Sequence, residues 1–203
     1  KIVAINNPFS KPDININTLK KENIILFVGR LNIMQKRIDL LLEIWLKLNK
    51  KLSDWQFWVV GDGPERLFME NFCKDNDMIN VKFFGKRKPD EFYKRAKILH
   101  FTSAYEGFGN VLVEAQSYGC VPILFNSYSS AEDIVTHNEN GILITPFDID
   151  EFVDKTLELI SNPLKLEEMK FNAFNSIDKF SYDKTYKKWE ILLDNITYDR
   201  EVH

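Results

Sequence analysis

The feature that most constrains this chain is the texture of its short apolar runs. Six recur, at 24–28, 57–60, 81–84, 98–101, 121–125 and 142–144, continuous rather than alternating apart from Lys82 and His100, and rich in β-branched or aromatic residues. A strand wet on one side alternates apolar with polar residues, so a continuous run implies cover on both faces. Between the runs lie segments with helical spacing. Ile38, Leu41, Leu42, Trp45 and Leu46 form one apolar stripe of a helix over about 36–50. Pro64 predicts a helix start running to about Asp75, and Pro89 or Asp90 a shorter one to about Ala96. A fourth helix fits 110–118 and stops at Gly119, which suits a left-handed cap. Asp148 fits an N-cap before the stripe Phe152, Val153, Thr156, Leu157 and Ile160. Two more follow, one carrying Leu166, Met169, Ala173 and Ile177 and one over 182–196. This alternation predicts an α/β fold, a Rossmann-like parallel six-stranded sheet with helices on both faces. Residues 1–23, with Pro8 and Pro12 and little periodicity, read as a linker or entering segment. Residues 24–162 read as the sheet domain and 163–203 as C-terminal helices packing on it.

A length of 203 residues suits one domain, and a chain of this size buries roughly 70% of the surface exposed when unfolded. The 27 Lys and Arg against 30 Asp and Glu give a net charge of −3. That balance offers no general attraction for nucleic acid or anionic lipid, so any bound anion must be held by a few placed cations. No apolar run approaches the ~20 residues of a membrane span. Cys73 and Cys120 are too few for a disulfide scaffold or a zinc site and suit a reducing compartment. The chain opens at Lys1 with no signal-like apolar block, which predicts a fragment of a longer protein.

Ligands of open parallel sheets bind beyond the carboxyl ends of the strands. Six of the eight glycines (Gly29, Gly61, Gly63, Gly85, Gly107, Gly109) follow an expected strand within a few residues. Glycine allows close approach of backbone to a ligand, so their crowding on one edge favours a binding face over ordinary turn usage. The first of these loops carries Arg30 just after a strand and Lys36 and Arg37 at the expected helix start. Cations there are disfavoured by the macrodipole, unless an anion sits between them. The loop Gly85-Lys86-Arg87-Lys88 is also basic, and a solvated turn and a role at the site fit it equally. In the loop 102–114, Glu106 and Glu114 flank a Gly107-Phe108-Gly109 turn. Such a turn presents backbone N–H groups to an anion, and the carboxylates can accept hydrogen bonds from paired hydroxyls of a ribose or hexose.

Other constellations carry less. The Asp-x-Asp pairs Asp75/Asp77 and Asp148/Asp150 read as a polar helix end and an N-cap with its first turn, so no metal is expected. His100 reads as a core histidine, His137 and His203 as surface residues, and Cys120 as a small buried residue. The Gly-x-Gly at 61–63 lacks the rest of a dinucleotide fingerprint, and no P-loop motif is present.

Taken in order, "FVGRL…QKR" with "LLEIW" (27–45), "WVVGDGPER" (58–66), "VKFFG" (81–85), "SAYEGFGNVLVEAQSYGCVPI" (103–123) and "NGILITPFD" (140–148) make a specific pattern. Over about residues 24–160 the chain resembles the C-terminal domain of GT-B glycosyltransferases of family 4, the retaining "group 1" enzymes. The resemblance implies one half of a GT-B fold and a donor site for a nucleotide-sugar, a UDP-sugar by preference. It implies that Arg30 and Lys36 hold the donor diphosphate and that Glu106 faces the donor sugar. Gly107, Phe108, Gly109 and Asn110 would meet sugar hydroxyls and phosphate, Val111 and Leu112 would line the nucleoside, and Glu114 would accept the ribose hydroxyls. Gly29, Gly61, Lys86 and Arg87 would border the nucleotide pocket. No cofactor or metal is implied, and the acceptor, a glycan or glycolipid of bacterial surface polysaccharide or lipopolysaccharide biosynthesis, would be bound by a missing N-terminal domain. The location implied is cytoplasmic, or peripheral at the inner membrane through that domain. The isolated chain is then expected to bind nucleotide while transferring sugar poorly. Where many relatives carry a glycine pair before Pro-Glu, this chain has Ser129-Ser130-Ala131-Glu132-Asp133, which leaves the donor sugar open. Rival readings are a non-catalytic sugar-nucleotide-binding module, or a GT-B enzyme of the epimerase or phosphorylase type. The Glu106/Glu114 turn opposes an epimerase, and no lysine is placed to carry a phosphorylase's pyridoxal phosphate.

Overall fold

A computed structural model describes residues 4–201, with side chains placed for residues 4–195; His203 lies outside the described residues. All six apolar runs are strands: β1 (Glu22–Val28), β2 (Gln56–Val60), β3 (Val81–Phe83), β4 (Ala96–Phe101), β5 (Val121–Phe125) and β6 (Ile142–Ile144). They form one all-parallel sheet in the order β3-β2-β1-β4-β5-β6. The helices are α1 (Ile33–Lys36), α2 (Ile38–Asn49), α3 (Arg66–Asp75), α4 (Asp90–Arg95), α5 (Asn110–Gln116), α6 (Ala131–Ile134), α7 (Ile149–Ile160), α8 (Pro163–Ser176) and α9 (Tyr182–Glu201).

The continuous runs split cleanly between two faces. Ile25, Phe27, Phe57, Val59, Ile98, Ile123 and Phe125 join one core with α2, α3, α7 and α8. Their neighbours Ile24, Leu26, Trp58, Val60, Leu99, Phe101 and Leu124 join a second core with α4, α5 and α6. All strands but the edge strand β3, where Lys82 is exposed, therefore alternate between two apolar layers, which is why no polar period appears in them. In the first layer Trp45 stacks on Phe57 with ring centroids 4.3 Å apart. His100 is fully buried in that layer and Cys120 in the second.

The structure departs from the expected boundaries in specific places. The helix expected over 36–50 is α2, which starts two residues later because Arg37, at φ 48° in the left-handed region, separates it from the short helix α1 that precedes it. α3 begins at Arg66 rather than Pro64, after a turn in which Arg66 N–H donates to the Gly63 carbonyl. α6 and two 3-10 segments, Ile16–Thr18 and Ile177–Phe180, are too short to show a period. Residues ahead of β1 lie against the C-terminal part of the chain. Phe9 N–H donates to the Phe180 carbonyl at 2.7 Å, Lys11 pairs with Asp178 at 2.9 Å, and Ile16 is buried.

The sheet order reverses direction between β1 and β4, and there the crevice beyond the strand ends opens. No helix among the described residues is long and apolar enough to cross a membrane.

Candidate functional site

The ends of β1, β2 and β3 are laced together by backbone. Gly29 N–H donates to the Val60 carbonyl at 3.0 Å and Gly61 N–H to the Gly85 carbonyl at 2.9 Å. Gly61 has φ +146°, and a Cβ there would stand 1.8 Å from the Gly29 carbonyl oxygen, so only glycine fits. The closeness leaves a cleft of about 380 Å³ lined by Gly29, Arg30, Gly61, Lys86 and Arg87, with Val28, Val60 and Asp62. Arg30, Lys86 and Arg87 are exposed, and none makes an ion pair among the described residues. Asp62 is already engaged with Arg66 at 3.2 Å. The cleft is thus cationic despite the acidic chain.

Across the β1–β4 crevice the loops after those two strands meet. Asn32 caps α1, its side-chain oxygen accepting from the N–H groups of Gln35 and Lys36 at 3.0 Å each. The Thr102 hydroxyl donates to the Lys36 carbonyl at 2.8 Å, and Ala104 N–H donates to the Gln35 carbonyl at 2.7 Å. These bonds carry Lys36 against Glu106, with Nζ donating to Oε1 at 2.5 Å. Gln35 Nε2 donates to Oε2 at 3.3 Å. Both charged side chains are little exposed, 11% for Lys36 and 12% for Glu106. An ammonium carries three donors, and among the described residues Glu106 takes one, leaving two toward the cleft. That cleft, about 560 Å³, is lined by Lys36, Glu106, Gly107, Phe108, Gly109, Asn110 and Val111, with Phe101 and Asn7.

The Gly-Phe-Gly turn is set by a glycine and a serine. Gly109 sits at φ +95° as the N-cap of α5, and the Ser130 hydroxyl donates to the Phe108 carbonyl at 3.0 Å. Gly107 differs: a Cβ there would meet nothing within 4 Å, so the fold does not demand glycine at this position. Beside Gly109 the Tyr128 phenol is buried with no hydrogen-bond partner among the described residues. Burial, and the Glu106 charge after it, push its pKa well up, so it stays protonated.

The sequence expectations for Lys36, Arg37 and Leu112 are corrected here. The macrodipole argument does not apply to Lys36, which closes the last turn of α1 instead of opening a helix, and a cation is favoured there. Arg37 turns away to pair with Asp39 at 2.8 Å. Leu112 is fully buried in the core against Gly109 and is not part of the lining of this cleft; Val111, one residue earlier on α5, is. Glu114 lines a separate pocket of about 370 Å³ with Phe9, Pro12, Asp90 and Tyr93. There the Tyr93 phenol donates to Glu114 Oε2 at 3.0 Å. Burial first, and Glu114 second, raise the Tyr93 pKa well above its usual value, which keeps it a donor. Sequence reasoning missed Asn7, whose amide donates to Asn110 Oδ1 at 3.3 Å, and also Gln35 and Tyr93. Their partners lie 103, 71 and 21 residues away, beyond any local pattern. No cluster of three or more His, Cys, Asp or Glu able to hold a metal occurs among the described residues; Asp148 caps α7, and Asp150 pairs with Lys47.

A family model described as "Glycosyl transferases group 1" matches residues 10–176. The chain belongs to that family. Among curated proteins, an uncharacterized glycosyltransferase of Haemophilus influenzae is 30% identical over 194 residues, covering 95% of this chain and 55% of the relative. Among solved structures, a mutant of S. aureus TarM bound to fondaparinux, α-GlcNAc-glycerol and UDP superposes with a TM-score of 0.84 at 26% identity. That match covers 94% of this chain and 39% of TarM. The C-terminal domain of a glycosyl transferase group 1 protein (LpcC) from Francisella tularensis gives a TM-score of 0.72 at 23% identity, covering 82% of this chain and 90% of that one. The sheet described above is therefore one half of a GT-B fold, and the chain spans about half the length of the first of these relatives.

Proposed function

We propose that this chain forms the donor half of a retaining glycosyltransferase that takes a UDP-sugar and passes the sugar to a glycan or glycolipid held by an N-terminal half. The observation that carries the reading is the meeting of Lys36 and Glu106 across the sheet's switch point, beside a cleft lined by three cations without carboxylate partners. Breaking a sugar–diphosphate bond builds negative charge on the leaving phosphate oxygen. Arg30 and the two remaining N–H groups of Lys36 are preorganised to stabilise that charge.

Glu106 takes a different part. Already bound to Lys36, it accepts hydrogen bonds from sugar hydroxyls and orients the donor; it is not free to act as a nucleophile. Gly107 and Asn110 meet the sugar and phosphate, Val111 packs on the nucleoside, and Lys86 and Arg87 border the base. Glu114 offers Oε1 to the ribose hydroxyls while Tyr93 holds Oε2. In the retaining reaction the acceptor hydroxyl attacks on the face the diphosphate leaves, and its proton passes to a donor phosphate oxygen. A UDP donor is favoured by the UDP in the TarM complex. We place the protein in the cytoplasm, at the inner membrane through its acceptor half. The chain alone binds nucleotide and transfers little, because the acceptor side of the crevice comes from elsewhere.

Thermal unfolding of this chain with UDP, GDP and ADP tests the reading. A nucleotide at 100 times its Kd adds about 2.7 kcal/mol, or a Tm rise of roughly 5 °C or more at this size. The reading expects that rise with UDP, and no rise with any nucleotide would overturn it.

A further inference from the structure

The end of the sheet opposite the clefts carries a second cationic cavity. Lys21 precedes β1, Lys97 is the second residue of β4, and Gly119 lies two residues before β5, so the cavity sits at the amino ends of the strands. β1 alone has seven residues, which separates the two ends of the sheet by roughly 20 Å. The cavity, about 130 Å³, is lined by Lys21, Lys97 and Lys170, with Glu167 as the one carboxylate. A water occupies about 30 Å³ in the liquid, so there is room for one small oxyanion.

Three ammoniums from three separate elements face one carboxylate, a local balance of +2 in a chain whose net charge is −3. Lys170 is 8% exposed and pairs with Glu167 at 2.5 Å, so that carboxylate is committed. Lys97 donates to the Asn23 side-chain oxygen at 2.6 Å. Lys21 donates to the Tyr93 and Ala96 carbonyls at 2.6 and 2.8 Å, closing the C-terminal end of α4. These partners are neutral. They use two of the three Lys21 donors and cancel none of the charge. Cys120, the other titratable group near Lys21, is a neutral thiol, its pKa pushed up to about 12 by burial. Desolvation lowers the Lys21 pKa to about 8, the mark of an ammonium buried without its counter-charge.

We propose that Lys21, Lys97 and Lys170 form a binding site for a small tetrahedral oxyanion, phosphate or sulfate, at the end of the sheet remote from the donor cleft. The anion takes the third Lys21 donor and the unshared donors of Lys97 and Lys170, and it supplies the charge that Glu167 alone does not.

Unfolding of the full chain in rising inorganic phosphate, at ionic strength held constant with chloride, provides the test. The expected result is a saturable Tm rise that survives Arg30→Met and disappears in Lys97→Met with Lys170→Met. Lys21 is left intact because it closes α4 and its removal endangers folding. A second measurement, modification of Lys21 by an amine reagent at pH 8, is expected to slow at least tenfold in saturating phosphate. A Tm rise lost in Arg30→Met would place the anion in the donor cleft and overturn the proposal. So would a rise that survives removal of Lys97 and Lys170, or Lys21 modification indifferent to phosphate.

Discussion

His100 lies in the middle of β4, fully buried, with its ring edge-on to Phe152 at 4.8 Å. The Thr156 hydroxyl gives its proton to the Phe152 carbonyl at 2.7 Å, so the 3.2 Å contact between Thr156 Oγ1 and His100 Nε2 requires the histidine to be the donor. The neutral ring therefore carries its proton on Nε2, and Nδ1 is left buried without a partner among the described residues. A second proton on Nδ1 would place an unpaired charge in the core, and desolvation lowers the pKa from 6.5 to about 3. Between those values the unfolded chain binds a proton that the folded chain does not, so stability falls as pH falls through that window. At 1.36 kcal/mol per unit, about 3 kcal/mol is lost from this residue by pH 4.5 and about 4 by pH 3, where the folded ring itself begins to protonate. His100→Leu removes the liability and leaves Thr156 its bond to Phe152. Urea unfolding at pH 7 and pH 4.5 should show the variant within about 1 kcal/mol of the parent at pH 7. At pH 4.5 its relative gain should be about 3 kcal/mol. Parallel loss of stability in both proteins, or a resonance assigned to the His100 imidazole titrating near 6.5 in the folded chain, would contradict a buried neutral His100.

Gly107→Ala is expected to leave stability unchanged, since its methyl meets nothing, while weakening UDP-sugar binding by projecting into the cleft. Gly109→Ala, at φ +95°, should cost about 1–3 kcal/mol in urea unfolding. Lys36→Met strands a carboxylate that is 12% exposed, so we expect a loss of about 1–3 kcal/mol in stability together with loss of UDP binding; unchanged UDP affinity would remove Lys36 from the site. Tyr93→Phe should weaken UDP binding only a fewfold by calorimetry, because it frees Glu114 Oε2 without removing the acceptor.

The fold was legible because both faces of the sheet are covered: continuous apolar runs admit few other architectures, and all six became strands. The break at Arg37 was not, because a left-handed arginine carries no local signature of the kind a glycine would. The inward turn of Leu112 was hidden for a related reason, as α5 is seven residues long and shows barely two turns of period. Sequence spacing put Lys36 and Glu106 on the same sheet edge. Their contact depends on β1 lying beside β4, which is a property of strand order and not of any local pattern. Asn7 and Tyr93 reach the clefts from segments that carry no motif.

Calorimetric Kd values for UDP and a panel of UDP-sugars, on the parent chain, Glu106→Ala and Glu114→Ala, test the central claim most directly. The account predicts that Glu114→Ala weakens UDP and UDP-sugars alike by about 10–100-fold, the worth of a charge-assisted hydrogen bond. It predicts that Glu106→Ala leaves UDP within a fewfold of the parent and abolishes the extra affinity the sugar contributes. Equal effects of the two substitutions on UDP and on UDP-sugars would contradict it.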